Sequence, residues 1–161
     1  MNDIEKIRDR VLSGAPIDRE TAQWLYEQPL GELCVCADEI RQHFCGNGFD
    51  LCTIVNAKSG RCPENCKFCA QSAHNHTNAA EYPLLSAEEI LSHAKENVRQ
   101  GVLRYSIVTS GKRLSDNEID QICVAVRRIR EETSLAVCIS GGLLNQAQFV
   151  RLKAAGVTRV H

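Results

Sequence analysis

The apolar residues of this chain follow two different periods, one on either side of residue 48. In the first stretch they recur at helical spacing. Ile4, Ile7 and Val11 line one face of a helix that Asn2 or Asp3 can cap and that Gly14 and Pro16 stop. A second short helix follows Asp18, and Leu30, Leu33, Ala37, Ile40 and Phe44 mark a third that Gly46 and Gly48 close. Residues 1–48 are therefore expected to form a helical amino-terminal extension.

From residue 49 strands and helices alternate. Leu51–Val55 is a short apolar, β-branched run, followed by a polar loop from Lys58 to about Pro83. Ser86 with Glu89 forms a capping box, Ile90, Leu91, Ala94 and Val98 make one face, and Gly101 precedes a strand at Arg104–Thr109. The same grammar returns with Ser115 and Glu118, the face Ile119, Ile122, Val126 and Ile129, and a strand at Leu135–Ser140. A third helix starts at Asn145 and Gln148, contains Phe149 and Leu152, ends at Gly156 and leads into a strand at Val157–His161.

Such units of about thirty residues predict a parallel sheet with right-handed crossovers, either a barrel or an open doubly wound sheet. A barrel takes eight units and typically about 250 residues. With three units and one further strand, residues 49–161 are expected to be the amino-terminal part of a truncated barrel. No internal repeat or low-complexity tract interrupts the pattern.

Composition narrows the partners. Among 161 residues, 43% are apolar and the formal net charge is −1, so there is a core to bury and no global field to attract nucleic acid or an anionic membrane. The amino terminus mixes acids and bases and lacks the continuous apolar stretch of a signal peptide or membrane span, so a cytoplasmic protein is expected. Nine cysteines in a reducing compartment point to metal binding or burial rather than disulfides.

The chemistry concentrates in Cys62-Pro63-Glu64-Asn65-Cys66-Lys67-Phe68-Cys69, a CxxxCxxC on the loop after the first strand. Loops at the carboxyl ends of parallel barrel strands build active sites, and thiolates are the soft donors that iron-sulfur clusters require. Three thiolates leave one iron of a four-iron cluster without a protein ligand, an arrangement suited to catalysis. A zinc site is the alternative, with His74 or His76 as fourth ligand, although no second CxxC completes the usual paired knuckles.

With an aromatic residue, Phe68, before the last cysteine, this motif resembles the hallmark of the radical S-adenosylmethionine (SAM) superfamily. Its flanks, Asn56-Ala57-Lys58-Ser59-Gly60-Arg61 before and Ala70-Gln71-Ser72-Ala73-His74 after, are similar to those of the biotin synthase family. Gln28-Pro29-Leu30 and Arg41-Gln42-His43-Phe44 extend that likeness into the lead-in, so it covers nearly the whole chain. The resemblance implies a partial (β/α) barrel of the TIM type and a 4Fe-4S cluster on Cys62, Cys66 and Cys69. It also implies SAM on the open iron, cleaved by one electron to a 5′-deoxyadenosyl radical. The reaction implied is sulfur insertion into dethiobiotin, with a reducing electron-transfer protein as partner and a homodimer as the assembly. Phe68 and Thr109 match regions that contact SAM.

The family also holds an auxiliary 2Fe-2S cluster, regarded as the sulfur donor. Cys138 matches one of its ligand positions, whereas Ser106 stands where cysteine is usual. A hydroxyl is a harder donor with a far higher pKa than a thiol, which weakens it as an iron ligand. Strand alternation still places Ser106, Val108 and Ser110 on one face and Ala136, Cys138 and Ser140 on the equivalent face of the neighbouring strand. Cys138 therefore has two readings, ligand or packing residue. Thr109, Ser110 and Gly111, like Gly141 and Gly142, are open both to ligand contact and to ordinary turn chemistry.

The family's asparagine-rich segment for the SAM ribose and substrate would follow the fourth strand, beyond His161, so the fragment is expected to be inactive alone. Cys34, Cys36, Cys45 and Cys52 form no ligand set, and Cys123 falls on an apolar helix face. His43, His93 and the charges from Arg127 to Glu132 read as surface or satisfied groups. Two other functions stand beside the first: a radical SAM enzyme acting on another substrate, and a non-enzymatic metal-binding protein.

Overall fold

Asn2 accepts a hydrogen bond from the Glu5 amide at 2.9 Å and its own amide donates to Glu5 at 2.8 Å, so helix α1 (Asp3–Leu12) starts with a reciprocal cap. Asp18 accepts from the Thr21 amide at 2.7 Å and starts α2 (Arg19–Tyr26); α3 (Leu30–Cys45) follows Pro29 and stops at Gly46. The computed structural model describes residues 2–161, in two units that divide between Phe49 and Asp50.

In the first unit α1 packs on α3. Ile4 and Cys36 are its buried apolar residues, and the Arg8–Glu39 pair at 2.6 Å ties the two helices together. Leu30 and Phe44 belong to the helical apolar pattern yet stay exposed. Val35 on the same helix is exposed as well.

The second unit runs β1 (Cys52–Lys58), α4 (Ala87–Arg99), β2 (Arg104–Thr109), α5 (Asp116–Glu132), β3 (Ala136–Ser140), α6 (Gln146–Ala155) and β4 (Val157–Val160). All neighbouring strands are parallel and the spatial order is β1-β2-β3-β4. A doubly wound sheet reverses its order at a switch point, and this one advances in a single direction, as barrel staves do. The sheet is not closed: β1 and β4 are its edges among the described residues.

The two faces of the sheet differ in kind. Tyr105, Ile107, Val137 and Ile139 are fully buried and meet Ile90, Leu91, Ile122, Val126 and Leu152 from the helices. Each buried side chain of this size contributes roughly 1.5–3 kcal/mol. The opposite face presents Ser106, Val108, Cys138 and Ser140, which are small or polar.

Three capping boxes start the three helices: Ser86 with Glu89, Ser115 with Glu118, and Asn145 with Gln148. One expectation needs correction. β1 continues three residues past Val55, because Asn56 and Lys58 alternate with buried Ala57 and Ser59; the apolar run ends but the period of two does not. Phe149 is 44% exposed, since the inward face of α6 is Gln148, Leu152 and Ala155. Gln148 takes the inward position by donating to the Leu114 carbonyl and to Asp116, at 3.4 and 3.0 Å.

Candidate metal centre

The cysteine loop leaves the carboxyl end of β1 through two left-handed residues, Gly60 at φ 81° and Arg61 at φ 49°. Arg61 is the one non-glycine residue with positive φ among those described. A β-carbon on Gly60 would stand 2.5 Å from Glu81 Cγ, so glycine is required there on both counts. Lys58 and Gly60 are then fastened to the next strand: the Ser110 amide donates to the Lys58 carbonyl and the Ser110 hydroxyl to the Gly60 carbonyl, both at 2.9 Å.

Beyond Arg61 the backbone folds into three linked turns. The amides of Cys69, Ser72 and Asn75 each donate to the carbonyl three residues earlier, on Cys66, Cys69 and Ser72, at 3.0, 3.2 and 3.1 Å. Cys62 bridges to the far side of the loop, donating to Gln71 at 3.0 Å and accepting from Ala73 at 2.9 Å. Side chains complete the wrapping. Asn75 Nδ2 donates to the carbonyls of Cys66 and Cys69 at 3.1 and 2.9 Å, and Ser72 Oγ donates to Glu64 at 2.7 Å. At the base, the Tyr82 hydroxyl donates to the Asn56 carbonyl at 2.8 Å.

Cys62 and Cys69 are half-buried and Cys66 is exposed; all three are free thiols. Phe68, between two of them, is 95% exposed. No three His, Cys, Asp or Glu side chains among the described residues form a group that could hold a single metal ion. His74, one of the two histidines that could complete the alternative zinc site, has its Nε2 3.1 Å from the Pro63 carbonyl. Three free thiols on one loop are soft donors of the kind that iron-sulfur clusters take.

The ends of β2 and β3 flank this loop. Thr109 Oγ1 donates to the Ser140 carbonyl at 3.3 Å, and the Leu143 amide donates to the Lys112 carbonyl at 2.8 Å. Ser106 and Cys138 are direct register partners, both buried, and Cys138 is paired on its other side with Arg159 of β4. A hollow of about 360 Å³ lies beside the loop base, lined by Lys58, Gly60, Arg61, Glu81 and Tyr82. Another hollow, of about 530 Å³ and lined by Lys6, Arg10 and Trp24, belongs to the helical unit and contains none of the cysteine motif.

Electrostatics separates structural groups from candidate ligands. Burial opposes ionisation of Glu118, yet hydrogen bonds from Lys58 at 2.6 Å and from Ser115 hold its carboxyl below the ordinary value. The pair ties the end of β1 to the start of α5. Burial pushes the Cys123 thiol up, which keeps it protonated in the core. Burial likewise raises the Tyr105 phenol, whose hydroxyl donates to the Ile90 carbonyl at 3.2 Å.

Spacing in the sequence located the three cysteines but not the polar residues that shape their loop. Asn75, Ser72 and Tyr82 were missed, as was the contact of Ser110 with Gly60. The available signal was a cluster of amide and hydroxyl side chains following the last cysteine, the usual means of organising a loop without an apolar core.

Residues 57–161 match the family model described as the radical SAM superfamily. The chain is similar to a biotin synthase of Akkermansia muciniphila, 54% identical over 152 residues, covering 94% of this chain and 47% of that protein. It is 49% identical over 162 residues to biotin synthase 2 of Corynebacterium diphtheriae, covering 100% of this chain and 49% of the relative. A biotin synthase of Clostridium botulinum is 45% identical over 161 residues, with 100% and 51% covered. The chain spans about half the length of the curated relatives it matches. Among the described residues no helix is long and apolar enough to cross a membrane.

Proposed function

Because the chain belongs to the radical SAM superfamily, we propose that it provides the cluster-bearing part of a biotin synthase, which inserts sulfur into dethiobiotin to give biotin. The observation that carries this reading is the CxxxCxFC loop at the carboxyl end of the first stave of a parallel sheet that carries Ser106 and Cys138 on the face away from its helices. Cys62, Cys66 and Cys69 hold a 4Fe-4S cluster whose fourth iron is left for SAM. Such a cluster, once reduced, would supply the electron that splits SAM into methionine and a carbon-centred radical able to take hydrogen from unactivated carbon.

The chain's own residues position and shield that chemistry. Phe68, almost wholly exposed, is free to cover a bound ligand, and Thr109, which donates to Ser140, keeps its lone pairs for a SAM donor. Lys58, paired with Glu118, fixes the strand end from which the loop departs. Ser106 and Cys138, side by side on the open face, are the residues of this chain offered to an auxiliary 2Fe-2S cluster. Residues 1–48 act as a helical lead-in to a barrel begun by residues 49–161. The reading places the protein in the cytoplasm, with a reducing electron-transfer protein as partner and a homodimer as its assembly.

The test is anaerobic reconstitution with iron and sulfide, then reduction and addition of SAM and dethiobiotin. Uptake of iron and sulfide in equal amounts is expected, with no dethiobiotin-dependent product from residues 1–161 alone, because four staves leave two sheet edges unpaired. A chain that binds zinc and takes up no iron and sulfide would refute the cluster assignment. Efficient biotin formation by these residues alone would refute the dependence on further staves.

A further inference from the structure

The carbonyls and amides of the cysteine loop are engaged unequally. Its carbonyls are engaged by the segment that follows: Cys62 by the Ala73 amide, Glu64 by the Ser72 hydroxyl, and both Cys66 and Cys69 by the single amide group of Asn75. Among its amides, those of Cys62 and Cys69 donate to the Gln71 and Cys66 carbonyls. The N–H groups of Lys67, Phe68 and Ala70 donate to no protein group among the described residues.

These two facts are geometrically linked. In a trans peptide the carbonyl and the following N–H point in opposite directions, and no peptide bond described is cis. With the carbonyls of Cys66 and Cys69 held by Asn75, and by the amides of Cys69 and Ser72 in turn, the N–H groups of Lys67 and Ala70 are turned to the other side of the same two peptide planes. Runs of unengaged backbone N–H groups form concavities that bind anions, iron-sulfur clusters among them. Hydrogen bonds to cluster sulfurs are one of the principal determinants of cluster potential.

We propose that Asn75 is a positioning residue for the cluster's redox potential: by gripping the carbonyls of Cys66 and Cys69 it aims the amides of Lys67 and Ala70 at the sulfurs of a 4Fe-4S cluster. The inference rests on the cluster reading above. N–H donors stabilise the more negatively charged reduced cluster, so the grip raises the potential. A lysine or phenylalanine side chain plays no part in this, because the donors are main-chain groups. Asn75 itself touches neither cluster nor cofactor; it acts through the two peptides.

The experiment reconstitutes the full chain and its Asn75→Ala variant anaerobically and follows reduction of the cluster at controlled potentials. The expected result is a cluster in both, with the variant's midpoint shifted to a more negative potential. Equal midpoints would overturn the proposal and leave the cluster reading intact, whereas failure of the unsubstituted chain to take up iron and sulfide would overturn the reading itself. An independent measurement covers a variant that fails to assemble. Electron-nuclear double resonance on the reduced, unsubstituted chain should show strongly coupled protons that vanish after exchange into heavy water. Their absence would likewise overturn the proposal.

Discussion

The segment from Ser86 to Gly156 and the loop from Ser59 to Tyr82 are ordered by different physics. In the first, order comes from burial: Ile107, Ile122, Ile139 and Leu152 are wholly removed from water between sheet and helices. In the second, no large apolar side chain is buried, and order comes from amides and hydroxyls holding carbonyls. The contrast teaches that stability and chemistry are separable here. A substitution in the scaffold should cost stability, and one in the loop should alter the centre on a fold that persists.

The sharpest break is Cys66→Ala, which should abolish assembly of an intact four-iron cluster while leaving far-ultraviolet circular dichroism and thermal stability unchanged. Iron and sulfide analysis with the cluster's visible absorbance measures the first part; an unchanged cluster spectrum would remove Cys66 from the ligand set. On the scaffold side, Ile107→Ala should cost about 2–5 kcal/mol in urea unfolding, the range for emptying a fully buried aliphatic site. A cost below about 1 kcal/mol would mean that the helix-facing core is looser than its burial implies.

Gly60→Ala sits where the two regions join. The left-handed backbone alone should cost about 1–2 kcal/mol, and the added carbon meets Glu81, so cluster yield should fall together with stability. Ser115→Ala removes only a helix cap and should cost roughly 1 kcal/mol without effect on cluster assembly.

The smallest effect is the pH dependence of the Lys58–Glu118 pair. The Glu118 pKa is lowered on folding from an ordinary value of 4.5, so its contribution is present above that pH and is lost as pH falls through the folded value. Glu118→Gln should therefore be less stable near neutrality, by up to about 1 kcal/mol, with the difference closing in acid. A difference independent of pH would show that the pair is not linked to folding.

The same contrast explains what could be read in advance. The capping boxes at Ser86, Ser115 and Asn145 announce helices because the cap and its partner lie three residues apart, and burial at Ile119, Ile122 and Val126 follows from helical period alone. The end of β1 was harder: Asn56 and Lys58 hide the strand unless alternation is followed past the apolar run. The inward place of Gln148 on α6, held by bonds to Leu114 and Asp116, has no hydrophobic signature in the sequence. Spacing identified Cys62, Cys66 and Cys69 as a set, whereas the grip of Asn75 on two carbonyls is a tertiary fact with no periodic signature.

The central claim is that the cysteine loop leaves one iron of its cluster to a ligand from outside the protein. Mössbauer spectroscopy of the chain reconstituted with isotopically enriched iron, before and after addition of SAM, tests it directly. A four-iron cluster in which a single iron changes its parameters on SAM binding is the predicted result. A cluster whose irons all remain unchanged by SAM, or a preparation with no cluster at all, would contradict it.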